Sequence, residues 1–180
     1  MSRLIAVAPL HHMVFRARRL STIVPFFRYT TTRAGGPIPP AERLTFMNDQ
    51  EIQSLLSAYK TVAVVGISPN PDRPSHVVAS YLQSKGYRII PVRPDGEVIL
   101  GERVYQSLRE IPKDVVVDIV DVFRKSEEVL PIVEEAVERG AKMVWMQEGV
   151  VNQGAAAKAE KAGLKVVMDR CIKKEHQRLL

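Results

Sequence analysis

Thr61-Val62-Ala63-Val64-Val65-Gly66 decides the fold. The run is short, unbroken and mostly β-branched, with none of the polar alternation of a strand that faces water on one side. That is the pattern of a strand buried on both faces, as in parallel sheets covered by helices above and below. Three later segments share one design: Gly86-Tyr87-Arg88-Ile89-Ile90-Pro91, Gly140-Ala141-Lys142-Met143-Val144-Trp145-Met146 and Gly163-Leu164-Lys165-Val166-Val167-Met168. In each, a glycine able to end a helix in the left-handed conformation is followed by a basic residue and then an apolar run, so each is read as a helix-to-strand joint.

Upstream of the first strand, Ile52, Leu55, Leu56 and Tyr59 fall at i, i+3, i+4 and i+7, one apolar stripe of a helix. Helices are expected over Ser75–Lys85 with Ser75 as N-cap, over Ser126–Arg139 with Glu127 and Glu128 in the dipole-favoured first turn, and from Asn152 to Ala162. Val115-Val116-Val117-Asp118-Ile119-Val120 supplies a further strand, and a polar tail is expected from Lys173. Strands that alternate with helices of this length require parallel pairing and right-handed crossovers. The expected fold is α/β: a doubly wound, Rossmann-like three-layer domain with an open, mainly parallel five-stranded sheet, over residues 47–180.

With 180 residues, 46% apolar and 26% charged, the chain suits one domain with a continuous core. Cys171 is the only cysteine, which excludes an intramolecular disulfide and a zinc site built on several cysteines. No apolar run approaches the roughly 20 residues that cross a bilayer as a helix, so no membrane association is expected. The net charge of +6 suggests nucleic acid until it is divided along the chain. Arg3, Arg16, Arg18, Arg19, Arg28, Arg33 and Arg43 stand against the single acid Glu42 in residues 1–46, and the remainder holds 19 basic and 19 acidic groups. A balanced domain without a basic, aromatic-interleaved stripe is not expected to bind nucleic acid.

Residues 1–46, free of lysine and rich in proline, serine and threonine, are expected to form a disordered extension. Two origins are open for it. Such segments resemble organelle presequences, which would place the protein in the mitochondrial matrix. The favoured origin is instead that synthesis begins at Met47, just before a helix, and the protein is expected to be cytoplasmic, the presequence being the alternative.

In open α/β sheets ligands sit beyond the carboxyl ends of the strands, where the strand order reverses. Arg73, Arg93, Arg124 and Arg170 recur on those ends, and guanidinium groups hold phosphate through paired, charge-assisted hydrogen bonds. Each could equally be a solvated loop arginine or an ion-pair partner of Asp72, Asp95, Asp121 or Glu148. The loop after Gly66 lacks the further glycines of a dinucleotide fingerprint, and Arg93 stands where NAD enzymes place an acid for the ribose hydroxyls. NAD is disfavoured. A phosphorylated ribose, as in coenzyme A or NADP, is compatible with Arg93, and the missing glycines speak against NADP.

Four strand-end motifs, Val65-Gly66-Ile67-Ser68 with Pro71-Asp72-Arg73-Pro74-Ser75, Val120-Asp121-Val122-Phe123-Arg124, Trp145-Met146-Gln147-Glu148-Gly149-Val150 and Val167-Met168-Asp169-Arg170-Cys171, resemble those of the stand-alone CoA-binding domain proteins. These are similar in fold to the N-terminal domain of the succinyl-CoA synthetase α subunit. The resemblance covers roughly residues 50–180. It implies coenzyme A along this edge, with Gly66, Ile67 and Ser68 on the nucleotide and pantetheine path, Val92 and Arg93 near the adenosine and its phosphate, Phe123 and Arg124 beside them, and Gln147, Glu148 and Gly149 on the opposite wall. Arg93-Pro94 departs from the Asn-Pro pair expected after the second strand. Neither the phosphorylatable histidine nor the nucleotide-grasping region of the synthetases is present.

No catalytic constellation is evident. His11 and His12 lie in the extension, His76 opens a helix beside the first loop and His176 falls in the tail, none with a motif partner. Metal-ligand clusters are also lacking. Cys171 has two readings, a small buried core thiol or a redox thiol able to form a mixed disulfide with coenzyme A. The expected function is binding of coenzyme A or an acyl-CoA by a non-catalytic carrier, sensor or regulatory module. Alternatives are an NADP-dependent oxidoreductase and the CoA-binding subunit of a ligase completed by another chain.

Overall fold

The computed structural model describes residues 47–180. The expectation of disorder over 1–46 lies outside them. Helix α1 (Asp49–Ala58) starts at a complete capping box: the Glu51 amide donates to Asn48 Oδ1 at 2.9 Å and the Asn48 amide to Glu51 Oε2 at 2.9 Å. Its stripe buries Ile52 and Leu56 completely.

The sheet contains β1 (Thr61–Val65), β2 (Arg88–Val92), β5 (Ile119–Val122), β6 (Met143–Met146) and β7 (Lys165–Val167), all parallel, in the spatial order β2-β1-β5-β6-β7. Helices α2 (Pro74–Ser84), α3 (Val129–Arg139), α4 (Gln153–Lys161) and α5 (Ile172–Leu179) complete the layers. Alternate strand residues divide the core. Val62, Val64, Ile119, Met143 and Trp145 pack under α1, α2 and α5, whereas Ala63, Val65, Val120, Val122 and Met146 pack under α3 and α4. The expected three-layer, doubly wound fold is the observed one. Gly86, Gly140 and Gly163 have φ values of 83°, 72° and 88°, as the joints require.

Four local expectations need correction. The strand placed at Val115–Val120 runs instead over Ile119–Val122, and Val116 is 63% exposed. The Asp118 carboxylate accepts the amides of Lys60 (3.1 Å) and Thr61 (3.0 Å), which fixes where the ladder starts, while Arg139 gathers the Pro112 and Val115 carbonyls into a loop. Ser75 is not the N-cap of α2: Arg73 is, with Pro74 in the first turn, and Ser75 Oγ accepts the Ser68 amide at 3.0 Å. Ser126–Glu128 forms a short 3-10 turn, and Ser126 Oγ accepts the Val151 amide at 2.9 Å rather than capping a helix. The tail from Lys173 belongs to α5, which buries Ile172 and His176 against α1 and α2.

A small antiparallel hairpin of β3 (Val98–Ile99) and β4 (Glu102–Arg103) follows β2. It was not expected. Tyr105 then bridges Val92 in parallel, covering the outer edge of β2.

Candidate functional site

From β1 the chain turns to one side for β2, and it then crosses to the other side for β5. The strand order therefore reverses between β1 and β5, at Gly66 and Phe123-Arg124. Backbone pairing draws the ends together: the Phe123 amide donates to the Val65 carbonyl at 2.8 Å and the Gly66 amide to the Val92 carbonyl at 2.9 Å. Gly66 has φ 87°, and a β-carbon on it would lie 2.5 Å from the Phe123 carbonyl oxygen and 2.7 Å from Arg124 Cδ. Only glycine fits this crossing.

A cleft of about 510 Å³ opens beyond it, within the range of small-molecule sites. Its wall is built from Gly66, Ile67 and Ser68 after β1, Arg73, Pro74 and Ser75 at the start of α2, Arg93, Pro94 and Asp95 after β2, and Phe123 and Arg124 after β5. An adjoining cavity of about 240 Å³ shares Gly66, Arg93, Pro94 and Arg124 and adds Val65, Val92, Gln106, Ser107, Leu108, Glu128, Ile132 and Glu135. Of the residues singled out in the sequence, Gly66, Ile67, Ser68, Arg73, Arg93, Phe123 and Arg124 line the cleft and Val92 lines its neighbour.

The electrostatics of the cleft are cationic and incompletely satisfied. Arg93 reaches the Ile67 carbonyl through Nη1 at 3.5 Å and Asp95 through Nη2 at 3.5 Å, and its buried Nε has no hydrogen-bond partner among the described residues. Arg124 gives Nε to Glu128 at 2.5 Å. Arg73 has no carboxylate within ion-pair distance among the described residues. It is the N-cap of α2, whose start lines the cleft, so the positive end of the helix dipole adds to the three guanidinium groups. His76 Nδ1 donates to the Ser68 carbonyl at 3.0 Å and holds the first loop.

The remaining expected residues lie elsewhere. Gln147 is buried and donates Nε2 to Asp121 Oδ1 at 2.7 Å, Glu148 pairs with Lys174 at 2.8 Å, and the Gly149 amide donates to Asp169 Oδ1 at 2.7 Å. None of the three lines either of these two cavities. The fourth rim arginine, Arg170, faces Asp49 (3.8 Å) and Glu175 (3.9 Å). Cys171, half-buried at the N-cap of α5, packs on the core layer that includes Trp145 and lines neither cavity.

Sequence reasoning passed over Asp121 as a buried group. Its carboxyl is fully buried, burial pushes it up to about 7 against the opposing hydrogen bond from Gln147, and Oδ2 has no partner among the described residues. The signal was present: one acid inside the apolar run Ile119-Val120-Asp121-Val122. Among the described residues no cluster of three or more metal-ligating side chains occurs, and no helix is long and apolar enough to cross a membrane.

Known proteins resemble this chain in sequence and in fold. A protein of Bacillus subtilis (strain 168), YneT, is 44% identical over 126 residues, which span 70% of this chain and 92% of that one. A structure described as a hypothetical protein from Pyrococcus horikoshii OT3 is 38% identical, covers 81% of this chain and 98% of its own, and superposes with a TM-score of 0.71. The dinucleotide forming acetyl-coenzyme A synthetase 1 of Ca. Korarchaeum cryptofilum shares the fold, with a TM-score of 0.54 and 20% identity over 61% of this chain and 26% of that one. The model of the CoA binding domain matches residues 60–177, from the start of β1 into α5 and across both cavities, and the chain belongs to that family.

Proposed function

We propose that the protein binds coenzyme A or an acyl-CoA in the cleft between β1, β2 and β5, and that it acts as a non-catalytic carrier, sensor or regulatory module. The observation that carries this reading is the convergence of Arg73, Arg93 and Arg124 on a crossing where Gly66 leaves no room for a side chain. Coenzyme A bears a diphosphate and a ribose phosphate, and three guanidinium groups beside a helix start supply the donors and the charge for them. The orphaned Arg93 Nε, which costs free energy while unpaired in the interior, fits a ligand oxygen as its acceptor.

The non-catalytic role is supported by what lines the cleft. Besides the arginines the groups are apolar side chains, prolines, two serine hydroxyls and the exposed Asp95. Ser75 Oγ is already engaged by the Ser68 amide and Ser68 Oγ by the Asn70 amide, and neither serine hydroxyl is hydrogen-bonded to a histidine among the described residues. Native mass spectrometry of the purified protein with added coenzyme A tests the proposal. A 1:1 adduct that survives gentle activation and is lost in Arg93→Ala is expected. Unliganded protein at a large excess of coenzyme A contradicts it.

A further inference from the structure

Two carboxylates stand where a polyanionic ligand has to go. Asp95 lines the cleft and faces Arg93 Nη2 at 3.5 Å, with 83% of its side chain exposed. Glu128 lines the adjoining cavity and holds Arg124 Nε at 2.5 Å, with 39% of its side chain exposed. Arg73 has no such partner among the described residues, so two of the three arginines meet the ligand already engaged and one does not.

We infer that Glu128, and more weakly Asp95, act as built-in counter-anions that compete with the ligand's phosphates for Arg124 and Arg93 and thereby hold the affinity of the cleft down. This inference rests on the reading of the cleft as a coenzyme A site. A phosphate offers several acceptor oxygens to one guanidinium and can take it in the paired geometry, so it displaces a carboxylate that holds a single nitrogen. The ion pair between guanidinium and carboxylate has to be given up before the phosphate is held, and that lost contact subtracts from binding. Glu128 outranks Asp95 because its contact is shorter and less solvated. The consequence is a ligand that exchanges, which suits a carrier or sensor better than a permanently held group.

Calorimetric titration of the full chain with coenzyme A at two salt concentrations tests the inference. Glu128→Gln is expected to bind about three- to fivefold more tightly than wild type, and Asp95→Asn about twofold or less. The gain from Glu128→Gln should largely vanish in an Arg124→Ala background, because the competitor then has nothing to hold. Wild-type binding with unchanged or weakened binding by Glu128→Gln overturns the inference and leaves the coenzyme A reading standing. A full gain that persists without Arg124 also overturns it, since the carboxylate would then act as a bare repulsive charge. No binding by wild type removes the underlying reading itself, and with it this inference.

Discussion

Gly66 crosses the Phe123 carbonyl so closely that a β-carbon would stand 2.5 Å from its oxygen. The atom in the way is backbone, not a side chain that could rotate aside, and the φ of 87° is itself unfavourable for other residues. Gly66→Ala is therefore expected to lower stability by about 2–4 kcal/mol, measured by urea unfolding, and to splay β1 from β5. Coenzyme A binding should weaken in that variant even where it is still folded.

Arg73→Ala and Arg93→Ala are each expected to weaken coenzyme A binding by about 1.5–3 kcal/mol in a calorimetric titration. Their melting temperatures should stay close to wild type, because neither guanidinium makes a short ion pair within the protein. The dependence of log Kd on salt should become shallower in both.

Asp121 makes stability depend on pH with a definite sign. Its carboxyl titrates near its ordinary 3.8 when unfolded and is pushed up to about 7 by burial in the native protein, so the folded state keeps a proton that the unfolded chain loses. Its contribution is full below about pH 4 and is lost as the pH rises through about 7, a change on the order of 4 kcal/mol. Asp121→Asn cannot ionise, and its unfolding free energy is expected to be flatter between pH 4 and 7 than that of wild type.

His176 works in the opposite direction. Edge-on to Tyr81 and Tyr87 at 5.5 Å each, with Tyr81 Oη 2.9 Å from its Nδ1, it is held below its usual 6.5 first by burial and then by Lys60 and Lys85. Stability from the neutral ring is present above pH 6.5 and lost as the pH falls through the lowered native value. Hydrogen exchange of residues 172–179 should accelerate on acidification before the sheet opens, and His176→Gln should remove most of that acceleration.

The strands on either side of the joints were legible because a doubly buried strand leaves an unbroken apolar run. Helix α5 was not, since its inward stripe is the buried Ile172 and His176 with the partly buried Leu179, and a histidine buried against tyrosines looks polar in a pattern of apolar positions. The start of β5 was misplaced because Val115, Val116 and Val117 have strand propensity, while the pairing is set by Asp118 capping β1 from a distance. The residues after β1, β2 and β5 that line the cleft were picked out by their position at strand ends. Gln147, Glu148 and Gly149 occupy an equivalent position on β6, but the reversal lies between β1 and β5, so the end of β6 sits one strand away. Strand order is a property of the assembled sheet, and the linear sequence does not display it.

Whether the switch-point cleft holds coenzyme A through its arginines is decided by a calorimetric titration of the wild-type chain against the Arg73→Ala/Arg93→Ala double variant. Saturable binding of one coenzyme A per chain is expected, weakened about 100-fold or more in the double variant if the two losses of about 1.5 kcal/mol or more add. Absence of binding by wild type, or equal binding by the double variant, would contradict it.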